Sequence, residues 1–97
     1  MLFRSPVDVH GTVLHDAQFE RQAKQVLENV STALGAAGSS KDRLLHVRVY
    51  ITDILSWPEF NEIYARWADP CRPARAVVPV PGLHYGCAIE VEAMAAQ

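Results

Sequence analysis

An α+β fold, with two helices packed on one face of a mixed β-sheet, is predicted by three features of this chain. Two segments carry apolar residues at steps of three and four, the signature of a helix with one buried face. Other segments alternate apolar and polar residues, the signature of strands. Their order is strand, helix, strand, helix, strand, strand.

The 97 residues are expected to form one domain, residues 1–97. A domain of this size buries only about 60–65% of its unfolded surface, so an exposed apolar strand face would favour an oligomer. Nearly half the residues are hydrophobic (49%) and 21% are charged, which suits a globular chain and not a disordered one. Nine Lys and Arg against eleven Asp and Glu give a net charge of −2, without the basic footprint that nucleic acid requires. Cys71 and Cys87 make neither a CxxC pair nor a disulfide framework, so reduced thiols are expected. The N-terminal apolar run is too short for a signal peptide, and no stretch approaches the ~20 apolar residues of a membrane span. A cytoplasmic protein with no membrane partner is the expectation.

Residues 1–12 read as a short strand followed by a turn at His10-Gly11-Thr12. From Asp16 to about Ala37, Phe19, Ala23, Val26, Leu27, Val30 and Leu34 fall on one helical face. Asp16 is the expected N-cap, and Gly35 or Gly38 the terminator. Leu45 to Ile51 alternates, which places Leu45, Val47, Val49 and Ile51 on one side of a strand. Ser56-Trp57-Pro58-Glu59 has the form of a capping box, with Leu55 and Phe60 placed as a hydrophobic staple. The second helix then runs to about Trp67, and Pro70 and Pro73 prevent its continuing. Ala74–Val80 and Cys87–Met94 are strand-like, and residues 81–86 read as a hairpin connection between them.

Candidate chemistry lies on these last two strands. Arg75 interrupts one apolar run, and Glu90 and Glu92 interrupt the other. A hairpin symmetric about Gly82 and Leu83 would set Arg75 directly across from Glu90, on the same face. On spacing alone, an ordinary cross-strand ion pair on a solvated face is the simpler account, worth roughly 0.2–1 kcal/mol. The functional alternative is an anchor for a small acid. Arginine offers a planar fork that binds a carboxylate at two points, and a nearby carboxylate can activate a water towards the bound acid.

Pro73-Ala74-Arg75, followed by Glu90 in Ile89-Glu90-Val91-Glu92-Ala93-Met94-Ala95, resembles the C-terminal signature of the Rid family (reactive intermediate/imine deaminase, YjgF-like, endoribonuclease L-PSP-like). Residues 22–30, 36–40, 47–53 and 60–64 resemble the family's helices and connecting segments in the same order. The resemblance implies a chorismate-mutase-like fold assembled as a homotrimer, with sites in the clefts between subunits. It implies hydrolysis of 2-iminopropanoate and 2-iminobutanoate to 2-oxo acids and ammonia, a form of metabolite damage control, with no metal or organic cofactor. Arg75 would grip the substrate carboxylate and Glu90 would hold the attacking water. The backbone N–H of Val77, where the family often has cysteine, would contact that water. Asn61 matches a position near the pocket, although an exposed helix residue explains it equally well.

Three departures from the family pattern stand out. The chain opens at Met1-Leu2-Phe3 without the family's first strand, and the second is clipped, so an N-terminally shortened fold is expected. Val77 replaces the frequent cysteine, and the link from the second helix to Pro73 is short. Trp57 and Tyr64 read as packing residues rather than substrate contacts. The four histidines share no metal-ligand spacing. His84-Tyr85 lies where it could meet a neighbouring subunit, Cys87 reads as a buried small residue, and Cys71 as the more exposed thiol. A non-catalytic protein that binds a small carboxylate is the competing function. RNA cleavage is disfavoured by the acidic balance and by the lack of a basic, aromatic-studded surface.

Overall fold

The computed structural model describes residues 2–69 and 73–96. The elements are β1 (Leu2–Arg4), α1 (Phe19–Ala36), β2 (Leu44–Ile51), α2 (Trp57–Ala68), β3 (Ala74–Pro79) and β4 (Ile89–Ala95). They form a four-stranded mixed sheet in the order β1-β4-β2-β3, with both helices on one face. The expected α+β architecture is therefore present.

The helices form where the apolar period predicts. Val26, Leu27, Val30 and Leu34 of α1 are fully buried, as are Phe60 of α2 and Val47, Val49 and Val91 of the strands beneath. Each such side chain contributes roughly 1.5–3 kcal/mol by leaving water. Gly38 stops α1 in a left-handed conformation (φ +77°), as one of the two expected terminators. The N-terminal turn is also as expected. Asp8 Oδ1 accepts from the backbone N–H groups of His10 and Thr12, and Gly11 (φ +80°) closes it.

Four local expectations are corrected. Asp16 does not cap α1, which starts later with Gln18 at the N-cap position and no side-chain cap. Leu45 does not face the core. A register irregularity between Leu44 and His46 turns Leu44 inward and leaves Leu45 exposed. Ser56 makes no capping bond. Instead Asp53 accepts from the Leu55 N–H at 3.0 Å and opens a single 3₁₀ turn, Ile54–Ser56, so that Leu55 points into solvent and no staple forms. Finally, β3 and β4 are not a hairpin. β3 runs parallel to β2, β4 runs antiparallel to β2, and β2 lies between them. The physical reason is the helix between β2 and β3. A crossover of that length lets consecutive strands pair in parallel, and residues 80–88 then carry the chain across the end of β2. The backbone bonds Val80 N–H to Ile51 C=O and Thr52 N–H to Ala88 C=O fix that crossing. Pro70 and Cys71 lie outside the described residues.

Candidate functional site: an edge-strand arginine held between two rings

The register assigns every strand side chain to a face. Val47, Val49 and Ile51 of β2 are fully buried under the helices. Paired residues share a face, so Arg75, opposite Val47, and Val77, opposite Val49, are on the helix side of β3. Glu90 is opposite Tyr50, on the other side of the sheet. Arg75 and Glu90 are therefore separated by β2 and point to opposite faces, so no direct ion pair joins them. An ion pair that does span two strands is Arg48 with Glu92, at 3.2 Å between β2 and β4.

β3 is an edge strand, and Arg75 leans from it towards α2. Its guanidinium carbon is 4.8 Å from the centre of the Tyr64 ring and 5.1 Å from that of Trp57. Those two residues lie seven positions apart, two turns of α2, and so present their rings to the same strand. A cation over aromatic faces gains about 0.5–2 kcal/mol and loses its freedom to swing. Among the described residues Arg75 has no hydrogen bond or ion pair, and its fork of N–H donors remains open.

One hollow is lined by this arginine, and a second by the neighbouring Trp57 and Val77. The first, of about 430 Å³, is lined by Arg75, Asn61, Tyr64, Asp69 and Pro73 among others, and is the more polar. The other, of about 480 Å³, is lined by Ile54, Leu55, Trp57, Pro58 and Val77. Burial pushes the Tyr64 hydroxyl above its ordinary pKa, and the Arg75 charge pulls partly the other way. That hydroxyl is buried without a hydrogen-bond partner among the described residues.

Glu90 is only 6% exposed, and one of its oxygens accepts from Ser5 Oγ at 2.9 Å. Burial, and then the charge of Glu90, raise the pKa of Cys87, whose thiol is buried as expected. Gln22, also buried, donates to the Ala17 and His15 carbonyls and accepts from the Ala88 N–H, so it pins the approach to β4. Sequence reasoning missed Ser5, because nothing in the spacing links residues 85 positions apart. It assigned Trp57 and Tyr64 to packing; Tyr64 does pack in the core beside Phe60, and both rings also lie against the arginine. Among the described residues, no cluster of three His, Cys, Asp or Glu could hold a metal ion, and no helix is long and apolar enough to cross a membrane.

Two helices on a mixed sheet, with an edge-strand arginine whose fork meets no hydrogen-bond or ion-pair partner among the described residues, define a small α+β protein. Comparison with known proteins specifies the family. Residues 4–97 match the family model described as endoribonuclease L-PSP. HMF1 of Saccharomyces cerevisiae is 40% identical over 76 residues, which is 78% of this chain and 59% of HMF1. The crystal structure of YyfA from Yersinia pestis, of the Rid protein family, superposes with a TM-score of 0.92 at 31% identity, covering 97% of this chain and 75% of YyfA. That of Escherichia coli TdcF with bound serine gives 0.91 at 31% identity, covering 100% of this chain and 78% of TdcF. The chain belongs to the Rid (endoribonuclease L-PSP) family.

Proposed function

We propose that this protein hydrolyses reactive 2-imino acids, with Arg75 binding the substrate carboxylate. The observation that carries this reading is the open guanidinium fork of Arg75, oriented by two aromatic rings at the mouth of a polar hollow. A carboxylate docked there fixes the imine carbon for attack. Asn61, which lines the same hollow, can hydrogen-bond the imine nitrogen. The bound serine of TdcF, which carries a carboxylate, is consistent with such a site.

Glu90 is the proposed base. It takes a proton from water as the oxygen adds to the imine carbon, giving a carbinolamine, and the Val77 backbone N–H is proposed to help hold that water. The carbinolamine then collapses. Glu90 has passed the first proton to the nitrogen; now the hydroxyl proton follows it, the C=O forms as the C–N bond breaks, and ammonia leaves a 2-oxo acid behind. Arg75 and Glu90 face opposite sides of one sheet, so in this reading a second copy supplies the partner that one chain does not bring to the ligand. This favours a homotrimer with sites between subunits, each pairing one chain's Arg75 with its neighbour's Glu90. The same reading places the protein in the cytoplasm, beside the pyridoxal-phosphate dehydratases that release such imines.

The second reading is a carboxylate-binding protein without turnover. The hydrogen bond from Ser5 favours it, since it occupies one oxygen of the proposed base. A coupled assay separates the two. A dehydratase generates 2-iminobutanoate in the presence of semicarbazide, and the protein is added as wild type or Arg75→Ala. Suppression of semicarbazone formation by the wild type alone supports the deaminase. Inert wild-type protein that still binds 2-oxobutanoate supports the binding protein.

A further inference from the structure

Apart from the backbone of Val77, the apolar hollow near Arg75 has no role in the chemistry just described, and its construction is unusual. Leu55 is 83% exposed and Ile54 52% exposed. Both sit on the 3₁₀ turn that Asp53 holds through the Leu55 N–H, while the Asp53 carbonyl accepts from the Ser56 N–H at 3.0 Å. Two large apolar side chains are thus fixed in solvent beside Trp57, Pro58 and Val77, where they face a cavity of about 480 Å³. Fixed, clustered exposure of this kind marks a surface that receives something apolar.

Its position says what. Arg75 and Val77 are two residues apart on the same face of β3, about 7 Å along the strand. The Trp57 ring stacks on the guanidinium and also lines the cavity. A carboxylate held by Arg75 would therefore have its own side chain within reach of the apolar hollow. We infer that this hollow receives the side chain of the 2-imino acid, and that the preferred substrates carry branched aliphatic or aromatic side chains rather than the one- or two-carbon chains of 2-iminopropanoate and 2-iminobutanoate. The inference rests on the proposed role of Arg75. It deepens that role by assigning the substrate class.

The test uses the unreactive products first. Titration calorimetry compares 2-oxobutanoate with the 2-oxo acid bearing leucine's side chain, on wild type and on the double variant Ile54→Ser, Leu55→Ser. One methylene in an apolar pocket is worth roughly tenfold or more in discrimination, and the solvent-open wall reduces this, so about tenfold tighter binding of the larger acid is expected. The double variant should bring the ratio close to one. Both replaced side chains are exposed, so the fold should tolerate the change. Equal or weaker binding of the larger acid overturns the inference, as does a ratio the double variant leaves unchanged. The corresponding imines, generated by an amino-acid oxidase, are then assayed for turnover. Preference for the larger acid without any turnover leaves the side-chain site standing and removes the deaminase. Turnover without preference does the reverse.

Discussion

Gln22→Leu tests whether the approach to the glutamate strand is held by one amide. Gln22 is 2% exposed, and its three bonds join the turn before α1, the helix itself and the residue before β4. Those to Ala17 (2.9 Å) and Ala88 (2.8 Å) are good, while that to His15 (3.4 Å) is marginal. Leucine keeps most of the volume and removes both polar ends. Two lost bonds at about 1 kcal/mol each, with the Ala88 N–H left partly buried and unpaired, total roughly 2–3 kcal/mol. Against the 5–15 kcal/mol of a typical domain, that is a large fraction. At about 4–8 °C per kcal/mol, the melting temperature should fall by roughly 10–20 °C. Urea denaturation with a constant m-value would give the loss directly. Gln22→Glu keeps the acceptor for Ala88 but buries a charge, so it should be at least as damaging. A loss below about 0.5 kcal/mol for Gln22→Leu would refute the reasoning, because it would mean that water replaces the amide at little cost.

Other predictions concern the site and its neighbours. Tyr64→Phe removes a buried, unpartnered hydroxyl and should stabilise the fold by about 1 kcal/mol in the same denaturation experiment. Its folded-state pKa lies above the ordinary value of 10.0, so the unfolded chain ionises first, and stability is unaffected by this group below pH 10 but falls as pH rises through the folded value. Wild type should therefore lose more stability than Tyr64→Phe above pH 10. Trp57→Leu removes one face of the arginine clamp and should weaken 2-oxo acid binding about two- to fivefold by calorimetry, as expected for a loss of 0.5–1 kcal/mol. In a Cys71→Ser background, Cys87 should resist iodoacetamide at pH 8 until the protein is unfolded, because burial and Glu90 both raise its pKa. Rapid alkylation of the folded chain would show that the segment leading into β4 opens readily.

The helices and their buried faces are legible in the sequence because a 3.6-residue period is a local signal. Their starts are less legible. Asp16 and Ser56 have the right chemistry for caps, but Gln22 and Asp53 organise the turns leading into the two helices instead. The pairing of β3 escapes sequence reasoning for a different reason. Proximity in sequence suggests a hairpin with β4, whereas the intervening α2 already allows a parallel partner in β2. That single topological fact moves Glu90 to the far face of the sheet. The residues of the site are legible as types, an arginine and a glutamate within apolar runs. Their surroundings are not, since the ring clamp, the Ser5 bond and the two hollows depend on contacts between distant parts of the chain.

The separation of Arg75 and Glu90 across one sheet has a genetic consequence. If each site draws its arginine and its glutamate from different subunits, two inactive alleles can rescue each other. Arg75→Ala and Glu90→Gln chains, each dead alone, would on co-expression form mixed trimers in which some clefts hold both intact residues. Random assembly from equal amounts leaves roughly a quarter of the clefts whole. A population carrying the two defects on separate gene copies would then retain protection that neither copy provides by itself.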